Sequence, residues 1–443
     1  MIMGSYVPQS PEETKEMLTF LGLSSVDDLY RDVPEKVYLK KVSIPQGKSE
    51  MEVLREIEKT GAKNRRFTSI FRGAGAYCHY IPAIVKQVIA KEAFRTTYTP
   101  YQAEISQGIL QSIFEYQTMI AELTGLDVSN ASVYDGATAA AEAVFMCLER
   151  KKNKVLVSGA VHPQILEVMK TYCESRRVEL AVIPVKEGRT DTEAAGKMAD
   201  AETAALFFQN PNFYGLIEDG DSLTAAAHDV KAKAVMSVSP LSLGLLKTPG
   251  EYGADIAVGD GQELGLPLSF GGPYMGFMTC REKLMRKLPG RIVGETTDSR
   301  GNRCYVLTLQ AREQHIRREK ASSNICSNEA LCTMASGAYM AALGPGGMKE
   351  AAEQCYAKAH YLAGELEKAG FPLKYKGPFF DEFVTESPLP PKDVEKLLAG
   401  EGILGGLPLE GDILWCATEM NSRGDMDRLV SILKGGISHG ASV

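Results

Sequence analysis

Between residues 154 and 259 the chain repeats one unit, a short apolar run followed by a charged, amphipathic segment. The runs are KVLVSG (154–159), ELAVIPV (179–185), TAALFFQN (203–210), KAVMSVS (233–239) and DIAVG (255–259). A strand with one wet face alternates polar and apolar residues; these runs are apolar nearly throughout, as strands covered on both faces are. HPQILEVMKTYCESR, TEAAGKMADAE and SLTAAAHDVKAK lie between them and can each serve as a crossover helix. The alternation predicts an α/β fold whose large domain, residues 66–329, is built on a mostly parallel sheet with helices on both sides.

The flanks read differently. Residues 1–65 set short apolar groups among charges at helical spacing, separated by Pro34, Pro45 and Gly47, and are expected to form a helical arm. From about residue 330 a long helical pattern runs to AHYLAGELEKAG, interrupted at Gly344–Gly347. The helix PPKDVEKLLAGEG, the strand DILWCATE and the closing helix SRGDMDRLVSILKGG follow. That order predicts a small α+β domain over residues 330–443, hung on the long helix.

Composition removes several classes. The net charge of -7 over 443 residues comes from interspersed Asp, Glu, Lys and Arg, which is no footprint for nucleic acid. No run reaches the roughly 20 apolar residues of a membrane helix, and MIMGSYVPQSPEETKEML lacks the basic-then-apolar order of a signal peptide. A cytoplasmic address with no membrane partner is expected. The nine cysteines are scattered, none as CxxC, and read as reduced core residues with no metal site. Motifs of the HExxH, GxSxG, Walker and GxGxxG kinds are absent.

Four segments could carry chemistry. FRTTYTPYQAEISQG (94–108) sets Tyr98 and Tyr101 around Pro100 just before a helix, where free N–H groups and the macrodipole favour an anion. Asp135 and Gly136 open a second helix, ATAAAEAVF, with Asp135 readable as a plain N-cap. QNPNFYG (209–215) follows a strand at the carboxyl edge, where open sheets bind ligands. AREQHIRREK (311–320) is a surface run or, through Arg312, His315 and Arg317, part of a cleft. His79, among apolar neighbours in AYCHY, reads as a packed histidine.

Taken in order, FRTTYTPYQAEISQGILQSIFEYQTMIAELTGL, ASVYDGATAAAEA, QNPNFYG, GGPYMG and LQAREQHIRREKASSNIC resemble the P protein of the glycine cleavage system over nearly the whole chain. The likeness is to its N-terminal half, which in many bacteria is a separate chain. It implies the type I pyridoxal-phosphate-dependent transferase fold, like that of aspartate aminotransferase. It also implies glycine decarboxylation with transfer of the aminomethyl group to the lipoyl arm of H protein, with T and L proteins as functional partners.

In that family a lysine after the strand ADIAVG bonds the cofactor, and an aspartate on the preceding strand holds the pyridine nitrogen protonated. Gly253–Cys280 contains no lysine; Gln262 and Glu263 stand where a His-Lys pair is expected. AVMSVSPLSL, around Val238, supplies no aspartate. Lys231, Lys233 and Lys247 are misplaced relative to the strands. The resemblance therefore implies a degenerate site made of Asp135, Gly136, Thr138, Val238, Gln262 and Glu263. Pyridoxal phosphate is then bound by a lysine-bearing partner, subunit 2, whose cofactor phosphate or glycine carboxylate Thr97, Tyr98, Tyr101 and Gln102 reach. Two other readings stay open: an autonomous enzyme using Lys247, and a degenerate homologue with a binding role.

Overall fold

The computed structural model describes residues 9–39, 43–95, 98–325 and 328–440, with side chains to 437; Thr97 and Cys326 lie outside this set. The chain divides into two compact units, Met1–Arg65 and Arg66–Val443. In the first, α1 (Pro11–Phe20) and α2 (Glu50–Gly61) both begin with a capping box, Ser10 with Glu13 and Ser49 with Glu52. Reciprocal capping satisfies N–H groups that a short helix otherwise leaves orphaned. Neither helix buries a residue, so Met51, Leu54 and Ile57 on α2 remain exposed.

The second unit holds the sheet. Its strands are β1 (Val128–Ser129), β2 (Lys154–Ser158), β3 (Glu179–Ile183), β4 (Thr203–Gln209), β5 (Lys233–Ser237), β6 (Ile256–Asp260) and β7 (Gly276–Cys280). Their spatial order is β1-β7-β6-β5-β4-β2-β3. β2 to β6 pair in parallel, and β7 runs antiparallel to both β6 and β1. The helices α3 (Gln107–Thr124), α4 (Gly136–Cys147), α5 (Pro163–Arg176), α6 (Thr192–Met198) and α7 (Gly220–Asp229) cover it.

The apolar strands are explained by what covers them. On β4, Leu206 and Phe208 enter one core with Met236, while Ala205 and Phe207 enter another with Val235. Alternate side chains leave a strand on opposite faces, so both faces are dry. Each buried Phe contributes about 1.5–3 kcal/mol relative to exposure. The eight described cysteines are all free, six of them buried.

Beyond the sheet lies a hairpin that the periodicity does not announce, β8 (Ile292–Thr297) paired antiparallel with β9 (Arg303–Thr308). Its turn, Asp298 to Asn302, is closed by Asp298 accepting from the N–H groups of Arg300 and Asn302. α8 (Ala330–Lys368) then breaks at Gly344, which takes φ 61°, followed by Pro345. Left-handed backbone suits glycine, and a proline restarts a helix without a lost bond. A three-stranded sheet follows, β10 (Glu382–Glu386), β11 (Leu407–Pro408) and β12 (Asp412–Cys416), with α9 (Pro391–Gly400) and α10 (Arg423–Gly440). Its core is centred on Trp415, whose indole N–H donates to Thr385 at 2.9 Å. Among the described residues no helix is long and apolar enough to cross a membrane.

Candidate functional site

A cavity of about 500 Å³ opens at the carboxyl ends of β4, β5 and β6, facing the start of α4. Gln209, Ser237 and Asp260 end those strands and reach its wall, with Asp135 and Gly136 opposite. Parallel sheets bind ligands at this edge because strand ends and helix N-termini leave backbone groups unpaired there.

Here those groups are already taken. The Asp260 carboxylate accepts from the Gly136 N–H at 3.0 Å and the Gln262 N–H at 2.9 Å. Burial outweighs both donors and pushes its pKa up to about 7. The approach requires glycine at 136, since a Cβ there would lie 2.9 Å from the Asp260 nitrogen. Asp135 caps α4 from outside, accepting from the Thr138 N–H at 2.7 Å. Glu263, only 5% exposed, accepts from Ser239 at 2.8 Å, and burial raises its pKa. Among the described residues, three carboxylates thus line the cavity and no lysine or arginine does.

The remaining wall is the strap Ala74–Tyr77. Glu382, on β10, accepts from the Ala74 N–H at 2.6 Å and the Tyr77 hydroxyl at 2.8 Å. Gln262 brackets Tyr77, accepting from its N–H at 2.7 Å and donating to its carbonyl at 2.9 Å, and also donates to Leu266. His162 accepts from the Gln164 N–H through Nδ1, which leaves Nε2–H for the Ala74 carbonyl at 2.9 Å. Burial holds that imidazole below its usual pKa, so it is neutral. Beneath the strap, His79 lies between Glu419 at 2.7 Å and Glu263 at 3.9 Å. Burial pulls its pKa down, but the two carboxylates win and raise it; His79 is a packed residue held between two acids.

The second group of residues is on the surface. Tyr98 and Tyr101 are 81% and 50% exposed, and Gln102 is exposed beside them. Tyr101 meets the ring of His315 edge-on at 6.5 Å. The loop before α3 and the 311–320 run are therefore neighbours, although more than two hundred residues of sequence separate them. Ile105 and Ile316, on the same two segments, also expose large apolar side chains. His315 lies 3.4 Å from Glu313, which is buried. Arg312 turns inward and donates to the carbonyls of Leu309 and Gly290, while Arg317 is exposed.

Asp135, Gly136, Val238 and Glu263 thus meet at the cavity, whereas Thr138 and Gln262 stand behind its wall. Lys247 is elsewhere, paired with Asp221 at 2.6 Å and over the Tyr252 ring at 4.3 Å. Sequence reasoning missed Asp260, His162, Tyr77, Arg291 and Glu313. Asp260 was findable as the charged last residue of an apolar strand. Glu313 and Arg291 were not, because burial of a charge is visible only once its partner is known.

The family model of the glycine cleavage system P-protein matches residues 4–433. The chain is 50% identical over 441 residues to a protein of Moorella thermoacetica named probable glycine dehydrogenase (decarboxylating) subunit 1, spanning 97% of this chain and 99% of that one. The protein of the same name from Carboxydothermus hydrogenoformans is 49% identical over 441 residues, with the same two shares. A crystal structure of glycine decarboxylase (P-protein) of the glycine cleavage system, in inhibitor-bound form, superposes with a TM-score of 0.93 at 43% identity, over 98% of this chain and 100% of that one. Aspartate aminotransferase from Thermus thermophilus gives 0.60 at 15% identity, over 84% and 99%, a likeness of fold alone.

Proposed function

Because the chain belongs to the glycine cleavage system P-protein family, we propose that it serves glycine decarboxylase as the half that holds no cofactor and completes the site of a lysine-bearing partner, subunit 2. It is a subunit of glycine dehydrogenase (decarboxylating), with the type I pyridoxal-phosphate fold. Pyridoxal phosphate supplies the electron sink for the carbanion left when carbon dioxide departs.

The fit of that cofactor to this chain's own cavity supports a place for it on the partner. Gln262, one of the two residues that stand where the His-Lys pair is expected, spends its amide on Tyr77 and Leu266. Asp260 already takes an N–H at the start of α4, where a phosphate would bind, and a dianion would face Asp135 and Glu263. Like charges in a buried site repel strongly. The residues present do not fit the group, and this is the observation that carries the reading.

The outward loop has the opposite character. Tyr98, Tyr101 and Gln102 are exposed residues that carry hydroxyl and amide donors, the groups that bind phosphate or carboxylate oxygens. Thr97 belongs to the same proposal. The exposed apolar residues around them suit an interface. His315 and Arg317 would face the entrance used by the lipoyl arm of H protein, with T and L proteins as functional partners. Arg312 shapes that region through backbone carbonyls. A cytoplasmic setting accords with the free cysteines.

An autonomous enzyme using Lys247 has no support from its position, since that side chain is exposed and paired away from the cavity. The test is reduction with borohydride after mixing with pyridoxal phosphate. This chain alone should gain no pyridoxyl mass, and in the complex the mass should appear on a lysine of the partner. A pyridoxyl adduct on this chain overturns the proposal.

A further inference from the structure

We infer that Arg291 is a positioning residue that aims Tyr101 at the partner's bound anion; this rests on the reading above. Arg291 is 1% exposed and immediately precedes β8. Its backbone is held on two sides: its carbonyl accepts from the Ala131 N–H at 2.8 Å, and Gln117 exchanges two hydrogen bonds of 3.0 Å with Val293 beside it. From that fixed base the guanidinium donates to the Tyr101 hydroxyl at 2.7 Å and lies 4.7 Å from its ring centre. Glu313 supplies the counter-charge, 4.0 Å from Arg291.

The contact is more than burial of an ion pair. An arginine fork fixes direction as well as distance, and a phenol that accepts from a cation becomes a stronger donor through its own proton. Tyr101 is half-exposed and leads into α3, whose Gln107 is locked to Tyr305 of β9 by two hydrogen bonds of 2.8 and 2.9 Å. The β8–β9 hairpin thus holds both ends of the arrangement, Arg291 beneath the ring and α3 behind it. Loops position groups loosely, and support from rigid elements removes that slack.

The experiment uses the complex with the lysine-bearing chain and measures retention of pyridoxal phosphate by equilibrium dialysis, with inorganic phosphate as competitor. Arg291→Met and Tyr101→Phe should each weaken retention about tenfold, the scale of one charge-assisted hydrogen bond. The double variant should be no worse than either single one. Losses that multiply in the double variant would overturn the inference, because a merely structural arginine acts independently of the phenol. If Arg291→Met does not fold, Arg291→Lys keeps the cation without the fork. It should lose retention in the wild-type background and lose nothing further beside Tyr101→Phe; equal losses in both backgrounds overturn the inference. If retention is indifferent to Tyr101 and Tyr98 altogether, the functional reading itself falls.

Discussion

The cavity at α4 and the loop before α3 are built from similar parts, a helix start with polar side chains in front of it, yet they present opposite groups: carboxylates at α4, hydroxyl and amide groups at α3. At α4 the chain supplies its own acceptors: Asp260 and Asp135 take N–H groups of the helix start. At α3 Tyr98 and Tyr101 are exposed, with a buried cation against the hydroxyl of Tyr101. A helix terminus is therefore only a potential for anion binding. Whether it is used depends on what the neighbouring strand ends present to it.

The sharpest way to break this contrast is to remove the outward donors. Tyr98→Ala with Tyr101→Phe should weaken cofactor retention by the assembled complex about a hundredfold, the scale of two charge-assisted contacts, while this chain keeps its fold by circular dichroism. Unchanged retention would make the loop an ordinary surface.

The inward site should show itself through pH. Burial raises the Asp260 pKa from 3.8 to about 7, so between those values the folded chain keeps a proton that the unfolded chain has lost. Its contribution to stability is full below the unfolded pKa and is lost as pH rises through about 7. Asp260→Asn should flatten the fall in stability between about pH 5 and about pH 8 by roughly 2 kcal/mol, read from urea unfolding at each pH. An unaltered slope would mean that Asp260 does not hold its proton in the folded chain.

Gly136→Ala should cost about 1–3 kcal/mol by forcing Asp260 off the helix start, measured by the same unfolding. The smallest effect is the most pointed: Gln262→Lys should take up no borohydride-fixed pyridoxal phosphate. The carboxylates remain, so one restored lysine does not make the cavity an anion site. A stoichiometric adduct would show that lysine alone was missing.

Much of the fold was legible. β4 reads as a doubly covered strand because Leu206, Phe207 and Phe208 leave no polar face, and the break in α8 is announced by Gly344–Pro345. The hairpin β8–β9 was not read, although DSRGN marks its turn. Its strands mix charged and apolar residues, since β8 is exposed beyond Val293. The family and the missing lysine could be read from ordered motifs. The closeness of Tyr101 to His315 could not.

By itself the sequence determined the parallel sheet, the family, and the absence of a lysine between Gly253 and Cys280. Apolar periodicity and residue identity are local properties, and they survive without knowledge of the partners. Only the tertiary structure decided which charges are buried and what each one faces: Asp260 against α4, Glu382 against the 74–77 strap, and Arg291 under Tyr101. A charge takes its meaning from its neighbours in space, and those come together only when distant segments pack.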